Sequence, residues 1–433
     1  MLNVITLFSG YDSQCLALNR LGIPYDLVAW AEIDKHACTA HDALFPQYKG
    51  RNVGDVSRVD WAEWHTRHPQ PIDLLTYSSP CQDFSSAGLQ RGGEEGSGTR
   101  SGLLWETERA VRELRPRHLV FENVGGLVSD KFIDLFNRWQ ARLNGYGYTN
   151  FHQLMNAKDY GVPQNRLRIF MVSILDCPRA YYFPKPFPLT RRLKDVLEQN
   201  VAERYYLSDA AVARLTKNIS NCGSNRDLAV DKDSVARTLC ASMAKITTFD
   251  NYVAEPTIAA MRGRDKDNPN DRGKSTDNYT QRLELKPDGT YNTITSVAKD
   301  NLLIEPSVLS PVRTEYGKAI RKQYGDNNLP ESRHNLTQLQ PKQDGTSNTL
   351  TSVAKDNYLI EPGIRIRRLT ERELYRLMDV SEPDIDTLLA APIPRTQHAK
   401  LAGNSIVVAC LYHIFRNLFV TTEPEAGTQT TLF

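Results

Sequence analysis

Two residues of this chain could carry covalent and acid–base chemistry, Cys81 and Glu122. The cysteine lies in Ser78-Ser79-Pro80-Cys81-Gln82-Asp83-Phe84-Ser85. Directly before it, the apolar run Ile72-Asp73-Leu74-Leu75-Thr76-Tyr77 reads as a short buried strand that Pro80 stops. A thiol is therefore expected at the C-terminal end of a strand, where open α/β sheets put their reacting groups. A second run, His118-Leu119-Val120-Phe121, ends in Glu122-Asn123-Val124. If the two strands are parallel neighbours, Cys81 and Glu122 meet at one sheet edge. The thiolate, not the thiol, is the nucleophile, and an acid/base group with cations nearby would change how much of it is present. Gln164-Asn165-Arg166-Leu167-Arg168 follows and supplies two such cations. A lone cysteine after a strand reads as an inert core residue, and a lone Glu as a cap; the ordered set of three motifs singles these residues out.

A second constellation suits a nucleotide-like cofactor. Phe8-Ser9-Gly10 ends the first strand pattern and a helix pattern follows, so glycine lets the backbone approach a ligand closely. Glu32 stands 22 residues beyond Gly10, at the end of the second strand pattern, a spacing at which a carboxylate accepts hydrogen bonds from a ribose. Gly54-Asp55-Val56 is expected to follow a third strand. By itself this pattern fits any nucleotide-binding α/β protein.

The elements that must position these groups alternate. Val4 to Phe8 and Leu27 to Ala31 read as strands, and residues 14–21, 35–44, 103–114 and 131–143 as helices, with Gly22 and Arg115-Pro116 as stops. Residues 151–155 and 169–174 supply late strands. This βαβα rhythm implies an α/β fold, a doubly wound, mostly parallel sheet with helices on both faces. Pro184, Pro186 and Pro188 mark a connection, after which the chain turns polar and rich in Asn, Asp, Gly and Thr. Residues 288–306 recur as 344–362 with three of 19 positions changed (Tyr291/Ser347, Ile294/Leu350, Leu302/Tyr358), and a looser copy lies at 237–256. Each unit reads as a hairpin, a structural β-element that leaves Met261 to Lys266 and Val312 to Lys322 as variable loops. Helix patterns return after Pro362: Thr370 and Glu373 form a capping box, and residues 406–419 read as a core helix. The expected domains are thus 1–185 completed by 363–433, and a β-rich 186–362.

Bulk properties narrow the class further. A chain of 433 residues is too long for one average core. It has no run of 18 apolar residues, so no transmembrane helix is expected, and its start lacks the pattern of a signal peptide, so a cytoplasmic location is expected. The seven cysteines are scattered without a CxxC pair, which argues against a disulfide framework or a zinc site; no metal is expected. A net charge of +2 neither demands nor excludes nucleic acid, because DNA binding needs a local basic face.

Pro80-Cys81-Gln82 with Phe84-Ser85, then Glu122-Asn123-Val124, then Gln164 to Arg168, in that order, resemble the active-site motifs of the cytosine-C5 DNA methyltransferases of bacteria and phages. The resemblance reaches both ends of the chain. Leu7-Phe8-Ser9-Gly10-Tyr11 is similar to the family's first S-adenosylmethionine motif, and Ala402-Gly403-Asn404-Ser405-Ile406-Val407 to its last, which in the family returns to pack beside the first. Arg368-Leu369-Thr370 with Glu373 resembles the ninth motif, which braces the target-recognition region. It implies a Rossmann-like methyltransferase domain with a smaller target-recognition domain. It also implies S-adenosylmethionine as cofactor, held by Phe8, Ser9, Gly10, Tyr11, Glu32, Ile33, Asp55, Val56, Pro80, Leu103, Asn404 and Ser405. The family commonly has further glycines where this chain has Asp12 and Ser13; Asp12 could instead cap the following helix.

The reaction so implied is methyl transfer to C5 of a cytosine in a specific double-stranded DNA sequence. Cys81 thiolate would add to C6, Glu122 would hydrogen-bond N3 and the exocyclic amine, Arg168 would contact the base carbonyl, and Arg166 would support the thiolate and a phosphate. The ring faces are stacked in a duplex, so the base must flip out, at a cost of about a few kcal/mol. Gln82, Ser85 and Arg100 would touch the DNA, the glycine-rich run between Gly88 and Gly102 closing over it. The alternatives are a tRNA cytosine-C5 methyltransferase and a catalytically silent DNA-binding protein. Some 170 residues between the eighth and ninth motifs favour duplex DNA over tRNA, and the intact Cys81, Glu122, Arg166 and Arg168 favour catalysis. A monomer, serving a restriction-modification system or acting as an orphan methylase, is expected, with a cognate endonuclease as the candidate partner. The methylated sequence cannot be read from the chain, because groove readout depends on a few side chains.

Overall fold

The computed structural model describes residues 1–79, 103–177, 180–199, 201–208, 210–212, 214, 230, 232–239, 241, 251–253 and 366–421, with the backbone of 254–256, 258–265, 279–285, 302–303, 309–313, 337–341 and 364–365. It falls into two compact units. The first comprises Met1–Glu198, Asp231–Asn251 and Thr370–Phe433; the second comprises Gln199–Val230 and Tyr252–Leu369. The division departs from the expected boundaries. Residues 186–198 and 231–251 belong to the first unit, and 364–369 to the second.

The first unit is built on strands β1 (Leu2–Leu7), β2 (Tyr25–Ala31), β3 (Leu74–Tyr77), β4 (His118–Val124), β5 (Tyr148–Asn156) and β6 (Leu167–Leu175). They form one sheet in the order β2-β1-β3-β4-β6-β5. The pairs from β2 through β4 are parallel, and β6 alone runs against its neighbours. Helices α1 (Ser13–Leu21), α2 (Lys35–Leu44), α3 (Trp61–Arg67), α4 (Leu104–Leu114) and α5 (Ile133–Gly145) supply the crossovers. The sheet is thus a doubly wound α/β core, as the strand–helix rhythm implies.

Alternation along β1 assigns its two faces. Ile5 and Leu7 join a core with Trp61 of α3, Leu104 and Trp105 of α4, and Phe136 and Trp139 of α5. Trp139 is fully buried, meets Trp105 edge-on at 5.6 Å, and donates its indole N–H to the Tyr77 hydroxyl at 3.0 Å. Truncating such a residue to alanine costs about 3–5 kcal/mol. Thr6 points to the other face, where its hydroxyl donates to Asp12 Oδ2 at 2.7 Å ahead of α1.

The C-terminal segment folds onto that second face as α6 (Glu371–Arg376), α7 (Glu382–Ala390), α8 (Arg395–Asn404) and α9 (Val408–Phe415). Thr370 and Glu373 make the expected capping box, and α9 packs on α1. Among the described residues one stretch, Arg395–Val420, is long and apolar enough to cross a membrane by length and composition only. Half of its most apolar part is buried inside the unit, and the helix is interrupted at Ser405, as in a core helix pair.

The stretch Asp231–Asn251 is sewn to the sheet edge. Gln164 and Ala236 form a parallel bridge, and Leu193 N–H donates to the Ser234 carbonyl at 2.9 Å. These partners are local to neither segment, which is why a composition change near residue 185 misplaces the boundary.

The second unit is β-rich. Strands β7 (Tyr252–Pro256), β8 (Ile258–Asp265), β9 (Tyr279–Leu285), β10 (Leu302–Leu303), β11 (Leu309–Arg313), β12 (Thr337–Pro341) and β13 (Ile364–Arg368) make three small sheets, β10-β8-β9, β11-β12 and β13-β7. Two expectations are corrected. Met261 to Asp265 are not a loop but part of β8, with Arg262 in register with Arg282, and Val312 and Arg313 belong to β11. An alternating Ile-Ala-Ala-Met-Arg-Gly-Arg run satisfies its backbone by antiparallel pairing, and its charges do not prevent that. Of the 19-residue repeats, Leu302–Leu303 is described; it pairs with Ile258 and Ala259, and the rest of both copies lies outside the described residues, as does Lys266.

Candidate active site

β3 and β4 are parallel neighbours, with Tyr77 opposite Phe121, so Ser78-Ser79 and Glu122-Asn123 lie side by side at the carboxyl end of the sheet. Glu122 is buried, 5% exposed, at the end of β4. Its Oε2 accepts from the Ser78 hydroxyl at 2.6 Å, and its Oε1 is 3.1 Å from Arg168 Nε. Arg168 reaches it because β6 runs antiparallel: Glu122 is in register with Phe170, and Arg168, two residues away, shares its face. Asn123 donates to the Ser79 carbonyl at 3.2 Å and ties the two strand ends together. A buried carboxylate is tolerable only when paired and hydrogen-bonded, and this one is both. Pro80, Cys81, Gln82, Ser85 and Arg100 lie outside the described residues.

Arg166 is 3% exposed and donates from Nη2 to the carbonyls of Gly403 (3.0 Å) and Ser405 (2.7 Å), and from Nη1 to that of Leu239 (3.0 Å). These bonds brace the residues ahead of β6 against the C-terminal segment; the Cys81 thiolate that Arg166 is expected to support lies outside the described residues. Gln164, fully buried, does similar work: it donates to the Leu377 carbonyl at 2.6 Å and accepts from Leu239 N–H at 3.2 Å. Sequence reading quoted Gln164 and Ser78 within their motifs without giving them roles. Their position at the ends of buried strands was the available signal.

The cofactor-type constellation lies at the carboxyl ends of β1 and β2. Phe8 and Gly10 have positive φ, 55° and 58°, and a Cβ on Gly10 would meet nothing within 4 Å. Gly10 N–H donates to Glu32 Oε2 at 3.0 Å, and Glu32 Oε1 accepts from the N–H groups of Ile33 and Asp34, both at 2.8 Å. Ile33 is 73% exposed, an apolar side chain standing in solvent beside that carboxylate. The Ser9 hydroxyl is buried without a hydrogen-bond partner among the described residues. Asp55 caps a short 3-10 turn, Val56–Arg58, and accepts from both N–H (3.0 Å) and Oγ (2.7 Å) of Ser57. The Ser57 hydroxyl, foremost, holds its carboxyl below the ordinary aspartate value. Val56 is buried in the core, so only its backbone is left to face a ligand. No strand precedes Gly54: the expected third strand is a single bridge between Asn52 and Trp30. Leu103 precedes α4, half-buried.

Tyr11 is fully buried, edge-on to Tyr375 at 5.8 Å, and burial pushes its phenol up, so it is a wall residue. Asp12 adopts φ 68°, a region where glycine is the easy choice. It fits by capping α1 through Cys15 N–H and accepting from Thr6. The Ser13 hydroxyl bonds that of Ser405 at 2.5 Å, across 392 residues of sequence. The last motif therefore does pack beside the first. Ser405 is buried in that joint, and Asn404 is exposed at the end of α8.

A family profile described as C-5 cytosine-specific DNA methylase matches residues 2–420. The chain is 30% identical to the orphan methyltransferase M.SPRI of Bacillus phage SPR, over 97% of this chain and 98% of that protein. It is 41% identical to the orphan methyltransferase M.SssI of Spiroplasma monobiae over 41% of this chain and 45% of that one. Among solved structures, the Entamoeba histolytica methyltransferase EhMeth shares its fold, with a TM-score of 0.57 and 14% identity over 97% of this chain and 98% of the other.

Proposed function

This chain belongs to the C-5 cytosine-specific DNA methylases, enzymes that transfer a methyl group from S-adenosylmethionine to C5 of cytosine in double-stranded DNA, and we propose that its transfer runs through Cys81, Glu122 and Arg168. The observation that carries this reading is the Glu122 carboxylate, buried and held between Ser78 and Arg168 at the carboxyl end of the sheet, beside the residues leading to Cys81. Glu122 hydrogen-bonds N3 and the exocyclic amine of an inserted cytosine, and Arg168 stabilises its carbonyl oxygen. Both make the ring a better acceptor for the Cys81 thiolate at C6, and electron density then rises at C5. Loss of the C5 proton to a base and expulsion of Cys81 from C6 restore the aromatic ring. The chemistry needs the base out of the stack, which costs about a few kcal/mol.

The cradle at β1 and β2 fits the cofactor. Open space above Gly10 lets backbone approach a ligand, the carboxylates of Glu32 and Asp55 suit ribose hydroxyls and an exocyclic amine, Ile33 offers an apolar face, and the buried Ser9 hydroxyl is available to bond. When bound there, S-adenosylmethionine supplies an electrophilic methyl group. Phe8, Tyr11, Leu103 and Ser405 wall the site, and Asn404 and the Val56 backbone complete it; the part expected of Pro80 lies outside the described residues.

Residues of the β-rich unit choose the DNA sequence on this reading, with Arg262 and Arg264 of β8 as candidates; alanine at either should relax one position or lower the salt slope of binding. The names of whole-length phage relatives support an orphan role; a cytosolic monomer without metal completes the proposal. The central test is a duplex carrying 5-fluorocytosine, which blocks proton loss. Wild-type protein should form a trapped covalent adduct, and Cys81→Ser should form none and turn over at least about 10⁴-fold more slowly. A serine variant with near wild-type turnover would refute covalent catalysis.

A further inference from the structure

We propose that Asn52 is the positioning residue of the cofactor cradle, fixing the Glu32 and Gly54-Asp55 loops to one another. The inference rests on the reading of Glu32 and Asp55 as cofactor residues. Asn52 lies between the two and is in neither. Backbone pairing between this segment and β2 stops at Trp30: Trp30 N–H donates to the Arg51 carbonyl at 3.2 Å and Val53 N–H to the Trp30 carbonyl at 2.8 Å. Beyond that point the Asn52 side chain continues the ladder as a peptide group would. Its Oδ1 accepts from Glu32 N–H at 3.2 Å, and its Nδ2 donates to the Glu32 carbonyl at 3.0 Å.

The same Oδ1 accepts from Gly54 N–H at 2.9 Å, an Asx turn that sets the loop leading into Asp55. The same Nδ2 donates to Cys38 Sγ at 3.3 Å, on α2. Three of the four contacts fix the amide's orientation, since turning it over would set donor against donor at the Glu32 and Gly54 N–H groups and acceptor against acceptor at the Glu32 carbonyl. Burial, foremost, with Glu32 and Asp42 behind it, pushes the Cys38 thiol up to about 11, so it remains a neutral partner at pH 7. One amide therefore holds both backbone groups of Glu32 and the start of the Asp55 loop. Asn supplies that with donor and acceptor on a short stem; Asp lacks the donor, and Gln adds a methylene.

Positioning can be separated from stability by the ligand used. Calorimetry would compare S-adenosylhomocysteine with its 2′,3′-dideoxy analogue on wild type, Asn52→Leu, Asn52→Asp and Glu32→Gln. Wild type should favour the hydroxylated ligand by about tenfold or more, the worth of a charge-assisted hydrogen bond. Both Asn52 variants should lose about tenfold for that ligand and much less for the analogue, with melting temperature and DNA binding as fold controls. Asn52→Asp should recover relative to wild type as pH falls, because a protonated carboxyl regains a donor for the Glu32 carbonyl. Equal weakening toward both ligands, or no weakening, overturns the positioning role. Glu32→Gln binding both ligands as wild type does would instead overturn the ribose assignment itself, and the inference with it.

Discussion

Glu32 and Glu122 are both carboxylates at the carboxyl ends of strands in one sheet, and they are held in opposite ways. Glu32 is gripped by main chain, through the N–H groups of Gly10, Ile33 and Asp34. Glu122 is gripped by side chains, the hydroxyl of Ser78 and the guanidinium of Arg168. Backbone donors cannot rotate away, so they fix the carboxylate in place. A ligand carrying hydroxyls needs an acceptor held that way. A group that follows a reacting base needs partners that can reorient, as a serine hydroxyl can. On the proposed function, the difference separates a binding carboxylate from a reacting one where residue type and strand position do not.

The comparison breaks or sharpens at five places. Glu122→Gln should show the largest effect, lowering turnover by about 10²–10⁴-fold as expected for a lost acid–base group. Cofactor affinity, measured by calorimetry, should hold within about twofold of wild type. Arg168→Ala should follow, at about 10²-fold in turnover, since it leaves Glu122 buried beside one neutral partner. Glu32→Gln should invert the pattern, with the cofactor bound about 10–100-fold more weakly and turnover at saturating cofactor near normal. Ser78→Ala removes a single neutral donor and should slow turnover by about tenfold, read in single-turnover kinetics. The smallest effect concerns pH. Burial alone would raise the Asp34 carboxyl, but Lys400 and the N–H groups of His36 and Ala37 outweigh it and hold it below its ordinary 3.8. Its stabilisation is therefore present above that value and lost as pH falls through the lower folded one. Asp34→Asn should lower the melting temperature at pH 7 and converge with wild type as pH falls, flattening the acid limb of the profile.

Local signals carried the sequence reading a long way. The α/β order, the parallel β3–β4 pair beneath Ser78 and Glu122, the Gly10-to-Glu32 spacing and the Asp12 cap all depend on neighbours or on a regular period. The features that the sequence did not announce depend on distant partners. Arg166 braces the C-terminal segment because Gly403 and Ser405 present carbonyls to it from more than 230 residues away. Residues 231–251 belong to the first unit because Ala236 bridges Gln164. Arg262 and Arg264 lie in a strand because β9 supplies backbone partners, which charge content does not announce. Asn52 escaped notice because its segment has one bridge and no period.

The hydroxyl joint between Ser13 and Ser405 has a consequence for how the enzyme comes into being. Ser13 and Ser405 stand 392 residues apart, so translation delivers α1 long before α9, which covers it, and the wall of the cradle is made late. Through most of synthesis Leu16 and Leu18 have no lid, and contacts of such long sequence separation form slowly. A ribosome stalled before residue 395 would hold every strand of the sheet and none of the α8–α9 cover. On the proposed function, a chain made only to that point should not methylate DNA, because the wall of its cofactor cradle has yet to form.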